Sequence, residues 1–223
     1  MTTGFQAINS SGVVQIDQDT ANFALVSKST GTFTNLSFGS VVIRYCLFTV
    51  TGLRNPVLAV KTASGIDFWS GMKANGSGSF SFYVYSAGAA ASSTFTYYIF
   101  DSADLSTISD RTGMQIFNAS GVTVFHSSAK AMRVVGSQTA YSTVTYSSGP
   151  TYAVAMSSYE NKFDSIDLGG GTISNLNQWS EATVTGNSVA LSLNPIESYI
   201  GTTLQTSTDH GVPYILVIDV TNY

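Results

Sequence analysis

Charge is what this sequence has least of. Nine basic and thirteen acidic residues among 223 leave only 10% of the chain charged, against ~25% in an ordinary soluble domain. The basic residues also stop early. No Lys or Arg follows Lys162, while Asp164, Asp167, Glu181, Glu197, Asp209 and Asp219 do. A nucleic-acid partner needs a basic footprint that releases counterions, so DNA and RNA are excluded as partners. Cysteine occurs once, as Cys46, which rules out an intrachain disulfide. It lies in the apolar run VVIRYCLF, where a buried, inert thiol is expected. Two histidines, His126 and His210, cannot build a tetrahedral zinc site with one cysteine. No two glycines stand four apart, so the strained G-x-S-x-G elbow is missing, and there is no Walker loop or G-x-G-x-x-G. No apolar run approaches membrane-spanning length. The opening MTTGFQAINS has neither a basic start nor an apolar stretch, so synthesis in a reducing cytoplasm without an ordinary export signal is expected.

Hydroxyls fill the place of charge: Ser and Thr occupy 59 positions. With 43% apolar and 12% aromatic residues, the chain has enough to bury to fold. Strand signals dominate. Residues 40–51, 79–85, 94–100 and 214–220 are rich in β-branched and aromatic side chains. Residues 182–193 read as a hairpin turning at Gly186-Asn187, with Val189, Leu191 and Leu193 alternating inward. The one helix candidate is a weak turn near 157–166. The fold class is all-β.

The chain also repeats itself. GFQAINSSGVVQI (4–16) and GMQIFNASGVTVF (113–125) share Gly, Gln, Asn, Ser, Gly and Val at an offset of 109. Each reads as a β-hairpin whose Asn caps its own backbone and whose Gly takes positive φ. Later landmarks recur in order. PVLAV (56–60) matches PTYAV (150–154), and YYIFD (97–101) matches ILVID (215–219). The expectation is two tandem, duplicated β-sandwich domains, 1–103 and 113–223, joined by a polar linker at 104–112. The second carries an insert near 157–180, where Gly169-Gly170-Gly171 suggests a mobile loop.

Candidate sites are few. Asp209-His210-Gly211 reads as surface turn chemistry, and His126 as a strand-end polar residue. Asp17 and Asp19, or Asp164 and Asp167, lack the spacing of a calcium loop. No catalytic residue, cofactor or metal is expected, and the protein is read as a non-enzyme. Phe68 and Trp69 read as core. Trp179 stands among polar residues and is the one candidate contact for a partner or receptor.

The stretches GFQAINSSGVVQID and NFALVSKST (4–17, 22–30), with YYIFD, GMQIFNASGVTVFHSS and MRVV (97–101, 113–128, 132–135), resemble small tail proteins of long-tailed bacteriophages. In that family the second motif more often ends in an acidic residue where His126 stands. The resemblance implies a structural, homo-oligomeric virion component at the distal tail, in the baseplate or tail tip, assembled in the host cytoplasm with other tail proteins and without membrane insertion. The alternative is a receptor-binding adhesin of the tail, with Trp179 and nearby loops touching a host polysaccharide or pilus.

Overall fold

The computed structural model describes residues 6–8, 14–17, 22–38, 41–102, 112–204 and 207–223. All of its regular structure is β, and no helix occurs among the described residues. The first half supplies β1 (Gln6–Ile8), β2 (Val14–Asp17), β3 (Ala24–Thr32), β4 (Thr34–Phe38), β5 (Val41–Val50), β6 (Val57–Lys61), β7 (Asp67–Gly76), β8 (Ser79–Ser86) and β9 (Thr94–Asp101). The second supplies β10 (Gln115–Phe117), β11 (Thr123–His126), β12 (Arg133–Gln138), β13 (Ser142–Thr145), β14 (Tyr152–Ser158), β15 (Asn161–Gly169), β16 (Thr172–Thr185), β17 (Ser188–Gly201), β18 (Thr208–His210) and β19 (Tyr214–Asp219). The helical turn expected near 157–166 is instead the end of β14 and the start of β15. The polar run there takes its backbone partners from β16 and β18.

The repeated motif is a hairpin in both places, and the two copies match in register. Gln6 pairs Asp17, Ala7 pairs Ile16 and Ile8 pairs Val14. Adding 109 to each gives Gln115–His126, Ile116–Phe125 and Phe117–Thr123, with the register shift at the corresponding step. In the second copy the Asn118 carboxamide accepts from the Ser120 and Val122 N–H groups at 3.0 and 2.9 Å. Gly121 takes φ +77°. That is the turn chemistry the sequence called for; the first copy's turn lies outside the described residues.

Two antiparallel sheets carry the rest. One runs β12-β19-β14-β6-β9-β3, the other β13-β17-β16-β7-β8-β5-β4, with β15 and β18 added beside β16. The first sheet takes three strands from each of 1–103 and 113–223, and the second takes four from the first and five from the second. The seams are β6–β14, where Val60 faces Val154, and β7–β16, where Phe68 faces Ala182. Val60 and Val154 hold the same place in the matched segments PVLAV and PTYAV. Reading outward from the first seam, β6-β9-β3 mirrors β14-β19-β12. The main core draws on both halves, with Val60, Phe68, Phe82 and Ile99 from one and Val154, Val189, Ile215 and Val217 from the other. The two segments thus share one core. The 104–112 linker lies almost wholly outside the described residues.

The four central strands of the first sheet, β19, β14, β6 and β9, are buried on both faces, which explains why they are continuous apolar runs. Alternation sends Val60, Val154 and Ile99 to the main core, and Ala59, Ala153, Tyr98 and Phe100 to a second cluster on the opposite face. The sheet curls around that second cluster until its two edges touch. Ala24 at the head of β3 bridges Ala131 ahead of β12, and the Leu25 and Met132 N–H groups donate to the Lys130 and Phe23 carbonyls at 2.8 Å each. Alanines on the inner face give this tight curl its room. Asp101 closes β9 with a fully buried carboxylate, which accepts from the Arg54 and Asn55 N–H groups at 2.7 Å each and so fixes the loop entering β6.

The insert near 157–180 is an arm of long strands. β15, β16 and β17 pair out to Gly169, Thr172 and Gly201. Gly170 and Gly171 form its two-residue tip with φ +63° and +79°, the signature of a type I′ turn that only glycine meets without strain. The triple glycine is therefore a tight hairpin turn. The neighbouring hairpin turns at Gly186-Asn187 as expected, between Thr185 and Ser188.

Candidate functional site: an aromatic cleft at the seam

Phe68 and Trp69 are adjacent on β7, so a strand must send them to opposite faces. Phe68 enters the main core. Trp69 points to the other side of the same sheet, yet is only 3% exposed. Its cover comes from the second half. β7 and β16 pair only at Asp67–Thr183 and Phe68–Ala182, after which β7 continues with β8 and β16 with β15. Residues 158–160 lie beside the gap, held by the Glu160 N–H donating to the Ser180 hydroxyl at 2.8 Å and the Ser180 N–H donating to the Glu160 carbonyl at 3.0 Å.

A run of rings results. Tyr159 lies flat on Trp179, centroids 5.4 Å apart and planes 7° from parallel. Trp179 tilts against Trp69 at 5.1 Å, and Trp69 stacks on Tyr85 at 5.1 Å and 13°. Tyr85 continues to Tyr83 and Tyr45 at 6.4 Å each. Trp179, the one residue singled out from the sequence, is half-buried at the centre of this run. Its indole N–H donates to the Asn177 carboxamide at 3.2 Å. Trp69 and Trp179 are the only tryptophans of the chain, and the fold brings them together from positions 110 residues apart.

The rings border two adjoining depressions of about 260 and 540 Å³. Both include Ser70, Gly71, Met72 and Tyr159, so they adjoin at β7 and together make up the cleft; the larger extends to Pro56, Val57 and Met156. No charged residue lines either part. Burial pushes the Tyr85 phenol up from its ordinary value, with the Tyr83, Tyr45 and Tyr159 phenols adding to it, so it stays a neutral donor.

Behind this cleft a pair of acids sits at the seam. Glu181 is fully buried on β16. One of its oxygens accepts from the Asn194 carboxamide at 2.6 Å, and the other lacks an N–H donor and stands against the Asp67 carboxyl. Burial first, and then the hydrogen bond to Asp67, push the Glu181 carboxyl up to about 8. Glu181 therefore keeps its proton near neutral pH, beside Asp67 across the seam. Because no solvent reaches Glu181, the pair holds the halves together and offers nothing to a substrate.

The other sequence candidates lie apart. His126 is buried, its Nδ1 accepting from the Ser128 N–H at 3.1 Å, and His210 is on β18 opposite Asn161. Asp164 pairs with Lys162 at 3.2 Å, and Asp167 caps the Gly169 N–H at 2.7 Å. Asp17 ends β2, and Asp19 lies outside the described residues. Cys46 is half-buried against the main core, and burial raises its thiol, keeping it protonated. Among the described residues no three His, Cys, Asp or Glu cluster to hold a metal. Sequence reasoning missed Tyr159 as the neighbour of Trp179, and Tyr85 and Tyr83 as the continuation of the run beyond Trp69. The available signal was Phe68-Trp69 itself: two large rings in succession on a strand require cover on both faces. No protein-family model, curated protein or solved structure matches the chain.

Proposed function

We propose that the chain is a non-enzymatic structural and interaction component of a bacteriophage tail, at the distal tail in the baseplate or tail tip. The observation that carries an assembly role is the arm. Ile166 on β15, Ser174 on β16 and Ile200 on β17 lie in one cross-strand row, with Leu168 further along β15. Ile166, Leu168 and Ile200 are 58, 60 and 66% exposed. Large aliphatic side chains grouped on one face of a projecting sheet mark a surface that another chain covers. The tail identity rests on the motif resemblance at residues 4–30 and 97–135. In this reading the arm contacts another tail protein or a second copy of the chain. Cryo-electron microscopy of purified particles tests it. The expected result is density for this fold at the distal end with the arm against a neighbour, and absence of the chain from particles would refute the proposal.

The cleft favours a second reading, a receptor-binding adhesin of the tail. Uncharged walls and a half-buried Trp179 at the rim support recognition over catalysis. Saturable binding of the isolated protein to host cells, lost in W179A, is the expected result.

A further inference from the structure

We infer that the cleft between β7, β8 and the 158–160 segment binds a neutral oligosaccharide. The inference rests on the adhesin reading and names its ligand. Tyr159 is stacked on Trp179 through one face and is 44% exposed, so its other face is open to water. A sugar ring presents a patch of C–H bonds that packs on such a face, as apolar groups do on aromatic platforms. The hydroxyls around that patch need donors and acceptors. The Tyr83, Tyr85 and Tyr159 phenols border the cleft and make no hydrogen bond among the described residues. At Gly71 nothing stands within 4 Å of where a Cβ would be, so the chain leaves space in the wall. The two depressions adjoin at Ser70, Gly71, Met72 and Tyr159, which suits several linked sugars better than one.

The same features exclude the other ligands that aromatic sites take. Phosphates, nucleic acids and acidic sugars need cationic partners, and the lining has none. A quaternary ammonium needs rings held apart as the walls of a box. Here successive rings touch, at 5.1 to 5.4 Å from Tyr159 to Tyr85. A proline-rich peptide also docks on Tyr and Trp, and is the competitor to test.

Because both tryptophans stand in the cleft, intrinsic fluorescence reads this site alone. The full chain is screened against an array of neutral and anionic bacterial surface glycans, and the strongest neutral binder is then titrated by fluorescence beside a proline-rich peptide. The expected result is saturable change with a neutral glycan and none with its sulfated counterpart or the peptide. Y159A, at an exposed ring, and G71V, which fills the open wall, should each weaken binding by about tenfold without lowering Tm. Absence of neutral binders on the array, saturation by the peptide alone, or affinity unchanged in both variants would overturn the inference. Host-cell binding separates the two claims. Cell binding that survives Y159A and G71V refutes the ligand and keeps the adhesin. Glycan binding in the cleft without cell binding keeps the ligand and refutes the adhesin.

Discussion

Raising the pH from 5 to 8 should loosen this protein, and Glu181 is the reason. In the unfolded chain its carboxyl ionises near the ordinary 4.5, whereas the folded state holds the proton to about 8. Between those values the folded state carries the extra proton, so each step up in pH favours unfolding. The contribution is fully present below 4.5, is lost through the window, and is gone above about 8. Each tenfold change in proton affinity is about 1.4 kcal/mol, which sets a ceiling of roughly 5 kcal/mol on the loss. Water entering the seam and residual structure in the unfolded chain reduce it. Half the ceiling corresponds to about 5–10 °C in Tm for a chain of this size. The perturbation that isolates the effect is E181Q. Its amide can accept from Asn194 through oxygen and donate to Asp67 through nitrogen, standing in for the protonated acid at every pH. Calorimetry of both proteins from pH 5 to pH 8 should show the wild-type Tm falling and the variant's falling much less, with the variant the more stable at pH 8. A wild-type Tm that is flat or rises across this range, or a variant with the same slope, would refute the buried proton on Glu181.

Three further outcomes follow from the packing. D101A leaves the Arg54 and Asn55 N–H groups without their buried acceptor and should cost about 2–4 kcal/mol in urea unfolding. A153L forces three extra carbons into the small-residue face of the curled sheet, and a loss of about 1–3 kcal/mol by the same assay is expected. Segments 1–103 and 113–223, expressed separately, should each lack a cooperative thermal transition and regain one on mixing, because neither holds a complete core. A cooperative transition in either alone would contradict the shared core.

The local chemistry of this fold could be read directly, and its long-range pairing could not. Asn118 and Gly121 declare their turn, and Gly186-Asn187 declares another, because a tight turn is specified by a few consecutive residues. Strands such as YYIFD and ILVID are visible for the same reason. Yet PVLAV and PTYAV look like the opening strands of two separate sandwiches, and nothing local reveals that Val60 and Val154 meet. Both strands have two apolar faces, a sign of double-sided burial that names no neighbour. The arm was the least legible. NKFDSIDLG has little alternation, since its strand partners stabilise it through the backbone while Ile166 and Leu168 stay in solvent. Trp179 drew notice by its polar setting, but its ring partners lie 20 and 110 residues away at Tyr159 and Trp69.

The self-facing pair Val60 and Val154 also governs valency. Two identical subunits meeting through such a contact would each carry every site, so a dimer would present two clefts. Here the two halves are covalently one chain and differ: Trp69 and Tyr85 come from one, Tyr159 and Trp179 from the other. Each chain therefore presents one ring-lined cleft. Any gain in avidity must come from the number of chains brought together, and so from the geometry of whatever holds them.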